Sequence, residues 1–352
     1  MTMKFFEKIT ALAIAAASVL TFSQTAIAEM SVSKELLDNF KPITAGAVPN
    51  KDNAITPEKV MLGKMLFHEP RLSKSGLFSC NTCHNLAAFG MSNLPSDIGH
   101  KWTIGPINGP TVMNAAYNTA QFWNGRAKDL EEQAKGPILN PAEMGMSDEA
   151  SIVKRIGSIA VYAELFAKAF PQEKEPLTYN NIARAIAAFE RTLLTPSRFD
   201  AFLSGNEAAL TDKEKNGLKL FVATGCTACH NGVGIGGGSF QKMGVANQYK
   251  TANKAKGRFE VTGKNEDINV FKVPTLRNIE MTYPYFHDGS VWQLEEAVKI
   301  MAFVQLGKKL ADNEAADIAA FLKSLTGTIP EEALKLPVLP PSGKDTSRPD
   351  FK

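Results

Sequence analysis

The sequence predicts a mainly α-helical protein built as two related units in tandem, and three observations carry that reading. Apolar residues recur at helical spacing behind recognisable caps, while strand signals are few and short. The string Cys-x-x-Cys-His occurs twice, at Cys80–His84 and at Cys226–His230. Each copy follows a helical stretch with the pattern Gly-x-x-Leu-Phe, at Gly63–Phe67 and Gly217–Phe221. A helix feeding the same loop motif twice is the layout of a duplicated domain.

The elements follow in order. Lys4 and Lys8, the apolar run Ile9–Phe22 and Ala26-Ile27-Ala28 read as a secretory signal covering residues 1–28, too short in its apolar part to span a bilayer. No later stretch is apolar enough to span one either, so the mature chain is expected to have no membrane span. Residues 29–55 carry Pro42 and Pro49 and read as a loose lead-in. Thr56-Pro57-Glu58 then opens a helix with an apolar face of Val60, Met61, Met65 and Leu66, ending near Phe67. The loop Asn85–Ile104 holds Gly90, Pro95 and Gly99 with almost no periodicity, which predicts weak packing. Ser147 is placed to cap a helix through Ile152, Ile156, Ile159 and Leu165. Thr178 does the same for Ile182, Ile186, Phe189 and Leu193.

The second unit repeats the plan. Thr211–Glu214 is a capping box, Leu218, Phe221 and Val222 form the buried side, and Gly225 ends the helix. Gly232–Gly238 reads as a flexible loop, and having no strand before it excludes a nucleotide-binding turn. Ser290–Gln293 is a further capping box for a helix reaching Met301, and Asp312 or Asn313 caps a last helix with Ile318, Phe321, Leu322 and Leu325. Beyond Gly327 the chain holds five prolines and reads as an extended arm. The expected division is an N-terminal domain over 29–195, a C-terminal domain over 196–328 and the arm over 329–352.

Cys-x-x-Cys-His is the attachment signature of c-type haem. Two thiols three residues apart add across the two vinyl groups of one porphyrin, and the following imidazole becomes the proximal iron ligand. Redox dithiols or one all-thiolate zinc site are the rival readings, and neither calls for a His after each pair. The two motifs hold all four cysteines. The fold class is therefore two c-type cytochrome-like haem domains in tandem, with His84 and His230 as proximal ligands. The formal net charge of +3 would be offset by four haem propionates, so nothing supports nucleic-acid binding. Such haem is attached outside the bacterial cytoplasm, in agreement with the export signal and a periplasmic location.

Several strings resemble the bacterial dihaem cytochrome c peroxidases over the whole mature chain. Besides both haem motifs they are LGKMLF from Leu62, SDIGH from Ser96, GPINGPTVMN from Gly105, QFWNGR from Gln121, YFHDGS from Tyr285 and AVKIMA from Ala297. The resemblance implies reduction of hydrogen peroxide to water, with electrons from a small cytochrome c or cupredoxin. By the same resemblance His100 is a removable second ligand of the N-terminal haem and Met301 the second ligand of the C-terminal haem. It makes Glu143 the distal acid–base group, places Trp123 between the haems and sets His287 beside the C-terminal one. It further implies a calcium ion bound by Asn108, Thr282 and Pro284, the last two through main-chain carbonyls, and a homodimer. His68 stays a structural or solvated residue. Two alternatives remain: a related oxidase that matures a tryptophan-derived cofactor and uses Tyr where Met301 stands, and a non-catalytic dihaem electron carrier.

Overall fold

The structure, a computed structural model, describes residues 31–44 and 46–352, so the expected signal at 1–28 lies outside the described residues. Its longer helices are α1 (Pro57–Phe67), α2 (Glu149–Gly157), α3 (Ala160–Ala169), α4 (Tyr179–Glu190), α5 (Asp212–Thr224), α6 (Leu294–Leu306) and α7 (Asp312–Lys323). The only named strands among the described residues are β1 (Phe240–Lys242) and β2 (Val270–Lys272), paired antiparallel. No helix among the described residues is long and apolar enough to cross a membrane.

In the first unit Thr56 Oγ1 accepts from the Lys59 N–H and Pro57 occupies the first turn, as the sequence predicts. The buried stripe is Leu62, Met65, Leu66 and Phe67, while Met61 points outward at 49 % exposure. Helix α1 crosses α4, which Thr178 caps. At the crossing a Cβ on Gly63 would lie 1.9 Å from the Ala185 carbonyl oxygen, so only hydrogen fits. The second unit reproduces this contact between α5 and α7, where a Cβ on Gly217 would lie 1.8 Å from the Asp317 oxygen. Phe67 meets Phe189 edge-on at 5.5 Å, and Phe221 meets Phe321 in the same way at 5.3 Å. The Gly-x-x-Leu-Phe repeat thus encodes one close helix crossing, made twice.

Several expectations change. The helix expected after Ser147 is two: Asp148 caps α2 by accepting from the Ser151 N–H at 2.7 Å, and the chain breaks at Ser158 before α3. Gly157 is a weak helix residue, and Ser158 Oγ donates to the Arg155 carbonyl at 2.6 Å, competing with helix continuation. The capping box at Ser290 does not form, because its hydroxyl donates to Asp288 at 2.9 Å; α6 starts at Leu294 and runs past Met301 to Gly307. The last helix is preceded by Ala311, whose N–H donates to Glu314 at 2.8 Å, with Asp312 already inside the helix. The glycine-rich stretch is a packed wall: Gly234–Gly237 are buried, and a Cβ on Gly236 would sit 2.1 Å from the Pro274 oxygen.

The two ends of the described chain cross over. The lead-in packs Phe40 against Phe199 at 5.3 Å in the second core, so it is anchored rather than loose. The arm lays Ile329, Ala333 and Leu339 on the first core. It has one helical turn at Glu331–Leu334 and otherwise runs extended, as predicted. Arg155 Nε donates to Ser347 Oγ at 2.6 Å, Arg71 Nη2 to the Pro340 oxygen at 2.9 Å, and the Asp350 N–H to the Lys74 oxygen at 2.9 Å.

Candidate functional site

The first motif forms a single helical turn, Cys80–Cys83, entered through Ser79, whose N–H donates to Thr82 Oγ1 at 2.9 Å. That turn sets both thiols on one side of the loop. Neither is in a disulfide. Burial pushes Cys83 up to about 12, and Cys80 is raised by the same cause, so both stand as neutral thiols. His84 Nδ1 lies 3.3 Å from the Gly90 carbonyl, which orients the ring and leaves Nε2 for a metal.

Facing this motif is a loop pair that the sequence alone does not join. The His100 N–H donates to the Glu143 carbonyl at 2.7 Å. The loop over residues 142–145 closes on the imidazole because Gly99 and Gly145 lack side chains. A Cβ on Gly145 would come within 2.8 Å of the His100 ring, and one on Gly99 within 2.1 Å of the Ala142 oxygen. His100 is 4 % exposed, yet neither ring nitrogen has a hydrogen-bond partner. A buried imidazole left unsatisfied on both sides is costly. A metal taking one nitrogen removes the larger part of that cost, so the site fits an iron ligand.

Glu143 is half-buried, with Asn140 Nδ2 donating to its Oε1 at 2.6 Å. Burial raises its carboxyl above the ordinary range, while Arg126, Asn140 and His84 pull the other way. Arg126 itself stacks over the Phe122 ring at 3.3 Å. It belongs to the string Gln121–Arg126, in which the sequence reading singled out only Trp123. The loop Asn85–Ile104 is better packed than expected: Leu86 and Met91 are buried, and Asn93 Nδ2 donates to the carbonyls of Met281 and Tyr283. Four of its non-glycine residues take positive φ: Phe89 and Asn93 (both 55°) and the adjacent pair Lys101 and Trp102 (56° and 59°).

The second motif follows Gly225, whose φ of 102° ends α5 and turns Cys226–Ala228 into the site. A cavity here is bordered by Cys226, Cys229 and His230 on one side and by Met301 of α6 on another. Burial pushes His230 down to about 4, with the main chain at Ile235 and Pro274 acting oppositely. The His230 Nδ1 is buried without a hydrogen bond of good geometry. Two thiols, an imidazole and a thioether around one apolar hollow suit a covalently held haem with His and Met ligands.

The same cavity reaches the seam between the units, where Trp123, His287, Asn108, Thr282 and Pro284 border it. Trp123 Nε1 donates to the Asn108 carbonyl at 2.8 Å, and the Asn108 N–H donates to the His287 carbonyl at 2.9 Å. His287 stacks on Phe271 at 4.5 Å, and Trp123 meets both rings edge-on. Asn108 Nδ2 is used by the Leu94 carbonyl, which orients the side-chain oxygen of Asn108 the other way. Among the described residues no group of three His, Cys, Asp or Glu side chains is placed to hold a metal ion. His68 closes α1, its Nδ1 at 2.9 Å from the Lys64 carbonyl, in a structural role.

Comparison with known proteins gives a consistent result. The family model described as di-haem cytochrome c peroxidase matches residues 57–208, and that of cytochrome c matches residues 214–326. A cytochrome c551 peroxidase of Nitrosomonas europaea is 54 % identical over 84 % of this chain and 88 % of its own length. A cytochrome c551 peroxidase of Pseudomonas aeruginosa is 46 % identical over 88 % of this chain and 90 % of its own. Among solved structures, a MauG-like protein associated with microbial copper homeostasis superposes with a TM-score of 0.73 at 32 % identity. It covers 88 % of this chain and 97 % of its own.

Proposed function

The chain belongs to the di-haem cytochrome c peroxidase family, and from that premise we propose that it reduces hydrogen peroxide to water, with its two haem sites dividing the work. One haem is held by Cys80, Cys83 and His84, the other by Cys226, Cys229 and His230. Bound there, the two irons supply the one-electron steps by which peroxide takes up two electrons. The observation that carries the reading is the contact between His100 and Glu143, a removable ligand and a half-buried acid on adjoining backbone facing Cys80–His84.

Peroxide must lose a proton from its near oxygen and gain one at its far oxygen. Glu143 does both, since a carboxyl raised by burial holds and releases a proton closer to neutral pH than an exposed one. Asn140 fixes its position, and Arg126 keeps it from staying protonated throughout. The Met301 thioether favours the reduced state of the second site, so electrons from a small cytochrome c or cupredoxin enter there. Trp123 lies on the route between the sites, its ring held at the seam by Asn108.

His100 would hold the iron of the first haem and so deny it to peroxide, and activity would then follow its departure. The strained pair Lys101 and Trp102 lowers the cost of rearranging that end of the loop. Asn108 Oδ1 with the carbonyls of Thr282 and Pro284 offers hard oxygen ligands to a calcium ion at the seam. A homodimer and a periplasmic location complete the reading. Met301 disfavours the cofactor-maturing alternative, and a pure electron carrier has no use for Glu143.

The test is steady-state peroxide reduction with a reduced small cytochrome as donor, alongside EPR of both irons. Turnover is expected in the half-reduced wild type, and His100→Gly should be active without pre-reduction. A protein with two low-spin, six-coordinate haems and no turnover in any redox state would be an electron carrier instead.

A further inference from the structure

Lys272 ends β2 at 5 % exposure, and its ammonium has no hydrogen bond or ion pair among the described residues. Other buried cations of this chain are answered. Lys59 Nζ donates to Asn53 Oδ1 and the Ala54 carbonyl, and Arg277 makes two 2.8 Å bonds to Asp200. The main chain at Lys272 is fixed on both sides. Its N–H donates to the Trp123 carbonyl at 2.7 Å, and the strand register sets it opposite Phe240.

The side chain borders the cavity of the second motif, where it is the only charged group among the described lining residues. The titratable neighbours there are His230, His287, Tyr285 and the two motif thiols. Burial pulls the lysine down to about 8, and no nearby carboxylate opposes it. An apolar hollow with one unanswered ammonium is complementary to a ligand that brings its own carboxylate. A c-type haem carries two, its propionates.

We propose that Lys272 is the internal counter-cation of a propionate of the C-terminal haem, pairing with it at the Trp123 seam and raising that haem's reduction potential. The proposal rests on the cavity being a haem site. A fixed positive charge favours the state with the extra electron, so Lys272 acts in the same direction as the Met301 thioether. It is a positioning residue: it touches the cofactor's rim and leaves the iron to other groups.

The experiment uses the full holoprotein with Lys272→Met, which keeps the length and removes the charge, and Lys272→Arg, which keeps the charge. Haem content is measured first, since wild type with fewer than two covalent haems would overturn the haem reading itself. With two haems present, Lys272→Met should lower the potential of the C-terminal haem by about the tenfold change in equilibrium constant that 59 mV represents for one electron. The variant's potential should also fall more steeply with pH than wild type between pH 5 and 8, because an unpaired propionate then titrates. The propionate bands in resonance Raman should shift, and Lys272→Arg should restore both readouts. A two-haem Lys272→Met protein with wild-type potential and pH slope overturns the proposal. If Lys272→Met loses the second haem, Lys272→Arg decides: two haems at wild-type potential support the ion pair, and an equal loss rejects it.

Discussion

The acid–base role proposed for Glu143 sets two requirements on one side chain. It must be dry enough to hold its proton more tightly than an exposed carboxyl, and close enough to polar partners to give it up. Burial supplies the first, and Arg126, Asn140 and His84 supply the second. Glu143→Gln keeps the shape and the Asn140 contact but removes the exchangeable proton. Peroxide reduction should fall by roughly 10²–10⁴-fold while both haem spectra stay close to wild type; unchanged turnover would show that the acid lies elsewhere. Residues at this scale differ in how visible they are in sequence. The spacing of Cys80, Cys83 and His84 announces its chemistry, because covalent attachment dictates it. His100 and Glu143 sit in aperiodic loops, and Met301 sits where a helix ordinarily keeps core filler. Only resemblance brought those three forward. Lys272 stayed hidden because its significance is burial and the lack of a counter-charge, and Arg126 because its significance is nearness to Glu143 across the fold; the sequence prints neither.

The elements rest on a contact made twice, α1 on α4 and α5 on α7. Its tolerance is set by the glycine hydrogen. Gly63→Ala forces a methyl group to within 1.9 Å of a backbone carbonyl, so the helices must part. The expected loss is about 1–3 kcal/mol, more than the roughly 1 kcal/mol that alanine gains in helix propensity. Thermal unfolding should show a lowered midpoint, and Gly217→Ala should do the same through the second crossing; an unchanged midpoint would mean that the helices part freely. Caps and periodicity located α1 and α5 at both ends and α4 at its start; α4 ends at Glu190, short of the expected Leu193, because the stop signal Pro196 lies beyond its last turn. The Ser147 and Ser290 expectations failed for a shared reason. In both places a nearby aspartate, Asp148 or Asp288, engages the serine hydroxyl, and a cap read from residue type cannot know its competitor. The glycine-rich stretch misled in the opposite sense: its glycines permit close packing against Pro274 and Asn118.

For the whole molecule the crossed ends matter most. The arm covers the first core with Ile329, Ala333 and Leu339 and is tied by Arg71, Lys74 and Arg155. Truncation after Thr328 should therefore destabilise the first unit selectively. Limited proteolysis should open the region around Arg71–Ser75 and the first haem loop, while α5–α7 stay protected; equal protection in both forms would show that the arm adds nothing. The crossing also makes each unit borrow from beyond its own stretch of sequence. The second core takes Phe40 from ahead of the first unit, and the first core takes Ile329, Ala333 and Leu339 from behind the second. A fragment cut at the boundary between the units would therefore bare apolar surface on both, each having left part of its interior with the other.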